Sequence, residues 1–157
     1  MVRHPSPDEL GEPILKVLGF QLWVHGRQFE QATDYEDGNW LRVTAHCGAA
    51  GASVWATGSI LQAQDVLRWA EGCDALVQGS KTPAELWPAE PNLHISISPK
   101  DPFGHFEMRV AITPELGTQE HTFTFELDQT YLPDIIRQCK TLLTLFPVRA
   151  IEGAKGV

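Results

Sequence analysis

The sequence contains no apolar run long enough to cross a bilayer. Its longest apolar cluster, residues 14–24, is interrupted by Lys16, Gly19 and Gln21, whereas a membrane-spanning helix needs about 20 consecutive apolar residues. The first ten residues also lack the apolar stretch and small-residue cleavage site of a secretory signal. We therefore expect a protein that has no membrane partner and is not secreted.

Cysteine is scarce, and its spacing excludes a disulfide scaffold. The three cysteines, Cys47, Cys73 and Cys139, are far apart and form no CxxC pair, although disulfide frameworks and zinc cages need paired or closely spaced thiols. Each cysteine lies on an apolar strand face or helix stripe, which is unlike the electropositive setting of a nucleophilic thiol. The pattern predicts reduced, buried thiols in a cytoplasmic protein.

Basic residues are outnumbered by acidic ones, with 12 Lys and Arg against 20 Asp and Glu, so the formal net charge is −8. A nucleic-acid backbone or an anionic membrane would be repelled at long range, and a basic protein would be attracted. The charge predicts a basic protein partner and no nucleic-acid partner. It carries no information on the oligomeric state.

Motifs that carry catalysis or metal binding are missing. The six histidines occur singly, with no HxH or HExxH, and the chain has no GxSxG, GxxxxGK or GxGxxG. These absences predict no metal, no cofactor and no catalytic residues, so we do not expect an enzyme.

The composition is that of an ordinary globular protein, with 43% hydrophobic and 20% charged residues. No internal repeat at solenoid spacing is visible. We expect a single α+β domain over residues 13–149, preceded by a flexible leader, residues 1–12, and followed by a flexible tail, residues 150–157. Most of the five tryptophans should lie in the core and one or two at a surface: Trp23, Trp40, Trp55, Trp69 and Trp87.

The first half predicts strands followed by a helix. Residues 14–29 indicate one long or two short strands with bends at Gly19 and Gly26, and residues 41–47 and 53–57 indicate a hairpin around the turn at 48–51. Ser59 and Gln62 have the spacing of a capping box, which predicts a helix that begins at Ser59 and ends near Gly79.

The second half has the clearest periodicity. Residues 93–98, 106–112 and 122–127 alternate between apolar and polar side chains, and the connections between them favour turns. A helical pattern follows from Thr130 and ends before Pro147. Together these patterns predict an α+β fold, an antiparallel meander of about six to seven strands with two amphipathic helices packed on one face.

An acidic loop precedes the first predicted hairpin and consists of Asp34, Tyr35, Glu36 and Asp37. One interpretation is a solvated turn. The other is a recognition loop, in which Tyr35 supplies contact area and the carboxylates meet basic groups of a partner.

The predicted exposed sheet face carries four further candidates, His94, Glu107, Arg109 and Glu126. Glu107, Glu126 and Asp128 could lie close together on this face, where a pair of them could shift each other's pKa and perform acid–base chemistry. Pairing with Arg109 would instead indicate a cross-strand ion pair on a solvated or partner-binding face.

Several short motifs resemble the WapI-like immunity protein family over residues 14–147. They are Asn39–Leu41 after the acidic turn, Ala84–Leu86, Glu90–Leu93, and Asp128–Leu132 leading to Phe146 and Pro147. The resemblance implies a small bacterial cytosolic protein that neutralises, by direct binding, the nuclease domain of a wall-associated contact-dependent toxin, without enzyme activity. It implies no particular binding residues. The alternative is a small-ligand protein or enzyme that uses the carboxylate and histidine face, which would require a concave site there.

Overall fold

The computed structural model describes residues 7–150, which contain two antiparallel four-stranded sheets. The first sheet has the order β1 (Leu15–Val17), β2 (Phe20–Arg27), β3 (Trp40–Ala49) and β4 (Ala52–Gln62), and the second has the order β5 (Ala84–Leu86), β6 (Leu93–Pro99), β7 (His105–Ile112) and β8 (Thr122–Asp128). The helices are α1 (Pro7–Leu10), α2 (Ala63–Val77) and α3 (Tyr131–Leu145). Of the predicted leader and tail, residues 1–6 and 151–157 lie outside the described residues.

The α+β class and the antiparallel pairing are confirmed, whereas the single meander is wrong. After β4 the chain enters α2, and the next strand, β5, pairs with β6. Alternation along a strand determines which face is buried but not which neighbouring strand it pairs with. The three-residue β5 is also too short to show a period of two.

The beginning of α2 differs from its prediction. The helix begins at Ala63, where the Asp65 carboxylate accepts a 2.8 Å hydrogen bond from the backbone N–H of Gln62. The chain is still extended at Ser59 because a register shift near Gly58, which has a φ of 146°, lengthens β4.

Apart from α1, which lies within the expected leader, and β5, neither of which was predicted, the other elements agree with the sequence pattern. The β3–β4 hairpin turns at Ala50 (φ 50°) and Gly51 (φ 89°), which is the pair of positive φ angles that a tight two-residue turn requires. Strands β6, β7 and β8 form the expected meander. The final helix begins after Asp128, whose carboxylate accepts a 2.9 Å hydrogen bond from the Thr130 N–H.

The described chain consists of two halves with the same order, four antiparallel strands followed by a helix. Helix α2 of the first half packs on β5 of the second, and α3 of the second half packs on β1 of the first. The two helices contact each other, and β3 meets β7. Each half therefore supplies the helix that covers the first strand of the other half.

Packing between the halves is close at the β1–β2 turn. A Cβ added at Gly19 would lie 2.1 Å from the carbonyl oxygen of Gly48 and 2.8 Å from the ring of Phe125 on β8. Only glycine fits between these groups.

Within residues 7–150, no helix combines the length and apolar character needed to cross a membrane.

Candidate functional site

A concavity of about 510 Å³ lies on the outer face of the second sheet. On β6, Ile95 and Ile97 point into the core, so Ser96 and Ser98 point outward. These short side chains lie opposite the longer Arg109 and Glu107 of β7. The concavity therefore follows from the alternation of two neighbouring strands, one of which presents small residues.

Three of the four sheet candidates line this concavity, namely His94, Glu107 and Arg109. Glu126 lies directly across from Glu107 in the β7–β8 register but lines a neighbouring depression with Lys100. The structure therefore brings together His94, Glu107 and Arg109 and places Glu126 beside them.

A cross-strand ion pair of Arg109 is absent from the described part of the chain, and the lysine that pairs with a carboxylate on this face is Lys100. Its ammonium donates a hydrogen bond to the Glu126 carboxylate, which lowers the pKa of Glu126 and raises the pKa of Lys100. Glu107 adds to the rise in the Lys100 pKa through its charge. Two residues apart on one strand, Glu107 and Arg109 have different cross-strand neighbours.

Three residues of this face were not identified as candidates from the sequence: Glu85, Trp87 and Glu120. The Trp87 side chain is 67% exposed, and its ring stacks on His94 with centroids 4.9 Å apart. His94 Nε2 lies 3.4 Å from a Glu85 carboxylate oxygen and is buried without a hydrogen-bond partner of good geometry among residues 7–150. The available signal was Trp87, two residues after Glu85 and directly before Pro88, but the three-residue β5 shows no alternation that would have placed these residues on a sheet face.

The acidic loop lies at the beginning of α2. The Tyr35 hydroxyl accepts a 2.9 Å hydrogen bond from Arg68 Nη2, and Gln62 Nε2 donates a 2.9 Å bond to the Glu36 carbonyl oxygen. Within the loop, the Asp34 carboxylate accepts a 3.0 Å bond from the Asp37 N–H. The loop thus contacts different elements from those that form the concavity.

The loop is also held from inside by Asn39, which is completely buried. Asn39 Nδ2 donates hydrogen bonds to the carbonyl oxygens of Tyr35 and Arg149, at 2.8 and 3.0 Å, and Oδ1 accepts one from the Arg149 N–H at 2.8 Å. Beside it, Arg27 donates to the carbonyl oxygens of Gly38 and Pro147, at 2.7 and 2.5 Å. Burial, together with the charge of Arg149, lowers the pKa of Arg27.

The outer face of the first sheet is chemically different. Trp23 stacks on Trp55 with centroids 5.8 Å apart, donates a 3.0 Å hydrogen bond to the Gly11 carbonyl oxygen and is only 4% exposed. Both ring nitrogens of His46 are hydrogen-bonded, to Gln21 Oε1 and to Ser53 Oγ, and burial lowers the pKa of His46. Trp23 and His46 of this face are thus hydrogen-bonded within the chain, whereas the exposed Arg42 side chain forms no hydrogen bond or ion pair with residues 7–150.

The described residues contain no assembled metal-binding site and no activated thiol. No three His, Cys, Asp or Glu side chains within residues 7–150 are grouped to hold a metal ion. The three thiols are buried and unpaired, and burial raises the pKa of Cys47 and Cys73 to about 12 and raises the pKa of Cys139 as well.

A model of the WapI-like immunity protein family matches residues 16–147, which include both sheets, α2 and α3. No curated protein and no solved structure matches the chain. The matched region includes the buried Asn39 and the Asp128–Leu132 entry to α3, both of which have defined structural roles. The chain therefore belongs to the WapI-like immunity protein family.

Proposed function

We propose that this protein neutralises the nuclease-type domain of a bacterial contact-dependent toxin by binding it directly in the cytoplasm. The family match over residues 16–147 carries the proposal. A net charge of −8 supports it, since a basic toxin domain would be drawn toward the protein and the encounter accelerated.

The proposed contacts come from two surfaces. One is the acidic loop, in which Asp34, Glu36 and Asp37 are exposed and Tyr35 is half-buried. The other is the outer face of the second sheet, with contacts through His94, Glu107, Arg109 and Glu126. Both surfaces present groups that can pair with basic side chains of a partner.

The direct test uses any toxin domain that is encoded next to the gene of this protein. Purified protein is titrated into that domain by calorimetry, and nuclease activity is measured on DNA and RNA in parallel. We expect a complex with a dissociation constant of about 1 μM or tighter and loss of nuclease activity at equal concentrations. An unrelated acidic protein of similar net charge serves as the control.

Neutralisation by direct binding is excluded if no complex forms at micromolar concentration. If a complex forms and the nuclease stays active, the protein binds the toxin domain but does not neutralise it, and that part of the proposal is wrong.

A second candidate function, binding of a small polar ligand, is favoured by one observation, the concavity at His94, Glu107 and Arg109. Mild native mass spectrometry of protein purified from its own host would detect such a ligand as added mass. The mass should disappear in the double substitution His94→Ala, Arg109→Ala. If the purified protein carries no added mass and still inhibits the toxin domain, the small-ligand function is contradicted.

A further inference from the structure

The outer face of the second sheet presents charged groups that the rest of the described chain leaves without partners. Glu107, Glu120 and Arg109 line the concavity, and their side chains form no hydrogen bond or ion pair with another residue of the range 7–150, although the charge of Glu107 acts on Lys100. On the first sheet, His46 and Thr44 are hydrogen-bonded within the chain, and the exposed Arg42 side chain has no such partner among the same residues. The two sheets therefore differ in the charge of these side chains: Arg42 of the first sheet is cationic, whereas two of the three on the second sheet are carboxylates.

The charge around the concavity is negative. Three carboxylates, Glu85, Glu107 and Glu120, and one guanidinium, Arg109, line it. Lys100, whose pKa is also raised by the charge of Glu107, is already paired with Glu126. The carboxylates that line the concavity therefore outnumber its guanidinium three to one, which favours entry of a cationic side chain.

An aromatic anchor adjoins these carboxylates. Trp87 is 67% exposed, and stacking on His94 at 4.9 Å holds its ring in place. A prepositioned indole loses little conformational freedom on binding, and its ring attracts guanidinium and ammonium groups. Tryptophan is also one of the residues most often found at the energetic centre of protein interfaces.

We propose that a basic protein partner docks on the outer face of the second sheet, with Trp87 as its anchor, and that an arginine or lysine of the partner enters the concavity beside His94. The surface defined by Glu85, Trp87, His94, Glu107, Arg109 and Glu120 is called the Trp87 face. This inference rests on the proposed toxin-binding function and narrows it from two surfaces to one. The acidic loop is the less suited of the two, because the Tyr35 hydroxyl and the Asp34 carboxylate already bind other groups of the chain.

The first test needs no toxin. N-acetyl-arginine-amide is titrated into isotope-labelled protein and followed by NMR, with the citrulline analogue as an uncharged probe of the same shape. We expect the arginine probe to shift the Trp87 indole N–H and the backbone amides of His94 and Arg109. The citrulline analogue should leave them unchanged.

Substitutions locate the binding surface. Trp87→Ala and the pair Glu107→Gln, Glu120→Gln should each weaken arginine binding about tenfold. The matched controls are Phe103→Ala, which removes an aromatic side chain that is 80% exposed, and Glu71→Gln, which removes an exposed carboxylate on α2. Both controls should bind the probe as the unchanged protein does. Shifts centred on residues 34–37, or equal shifts with citrulline, would overturn the inference.

The second test uses the toxin domain. Trp87→Ala should weaken the complex at least about tenfold, while Phe103→Ala should have no effect. If the toxin is neutralised as before by the Trp87→Ala variant, the Trp87 face is refuted and the proposed function stands. If the unchanged protein forms no complex, the proposed function fails, and the arginine titration still decides whether the Trp87 face binds cations.

Discussion

Asn39 contacts three segments of the chain, two through its buried side chain and one through its backbone carbonyl oxygen. It holds the acidic loop at Tyr35, the C-terminal segment at Arg149, and through its own carbonyl oxygen the first N–H of α2 at Ala63. A motif residue before a strand suggests a binding position when only the sequence is known. Its complete burial shows that it acts by positioning the loop.

At this scale we predict that Asn39→Ala lowers the free energy of unfolding by about 2 to 3 kcal/mol, because the buried groups of Tyr35 and Arg149 lose their hydrogen-bond partners. Urea denaturation measures the loss, and amide hydrogen exchange should accelerate at residues 34–38. The control is Asn92→Ala, which removes one side-chain bond at a half-buried site and should cost about 1 kcal/mol. Equal losses of unfolding free energy for the two variants would show that the several hydrogen bonds of Asn39 stabilise the protein no more than the single side-chain bond of Asn92.

At the scale of elements, α2 begins at a capping pair different from the one that the sequence spacing suggested. The Ser59 hydroxyl donates to Gln28, and the group that binds the first turn is the Asp65 carboxylate. Burial raises the pKa of Asp65, although the hydrogen bond from Gln62 and the charge of Arg68 act in the opposite direction. The bond supports the helix while the buried charge opposes folding.

We predict from this that Asp65→Ala destabilises the protein by about 1 kcal/mol, because the cap is lost. The Asp65→Asn variant keeps a hydrogen-bond acceptor without the charge, and we expect it to be at least as stable as the unchanged protein at pH 7. A raised folded-state pKa means that the cost of the buried charge is fully present above that pKa and is relieved as the pH falls through it. Any advantage of the asparagine variant should therefore shrink below that pKa, as measured by urea denaturation across pH. Ser59→Ala should leave stability nearly unchanged, and a loss as large as that of Asp65→Ala would contradict the assignment of the cap.

At the scale of the whole molecule, the two halves pack against each other. Helix α3 packs on β1, α2 packs on β5, and the helices contact each other. The core is one continuous cluster that includes Leu22 and Val43 of the first sheet together with Ile95 and Met108 of the second.

We predict that a fragment of residues 1–82 does not fold cooperatively, because the first sheet would lose α3 and α2 would expose the surface that covers β5. Circular dichroism during urea titration checks this, with the intact chain as the control. A sharp unfolding transition of the fragment would instead show that the chain contains two independent domains. It would contradict the proposal that residues 13–149 form a single domain.

Much of the candidate site was accessible from the sequence. Strict alternation placed His94, Glu107, Arg109 and Glu126 on the polar side of their strands, because the side-chain period of a strand is a local property. Trp87 and Glu85 were missed because their exposure depends on where β5 lies in the sheet. The role of Lys100 was missed because it follows a strand in a turn and meets Glu126 only through the fold.

The sequence by itself determined the strand faces, the apolar stripe of α3, the negative charge and the family. Each of these follows from the local spacing of residues, from composition or from short motifs. Only the tertiary structure decided that the strands form two sheets, that Asn39 is buried, and that the side chains of Glu107 and Arg109 have no hydrogen-bond or ion-pair partner among residues 7–150. The physical reason is that sheet edges, burial and hydrogen-bond partners arise from contacts between residues far apart in the chain. Periodicity within one element cannot specify such contacts.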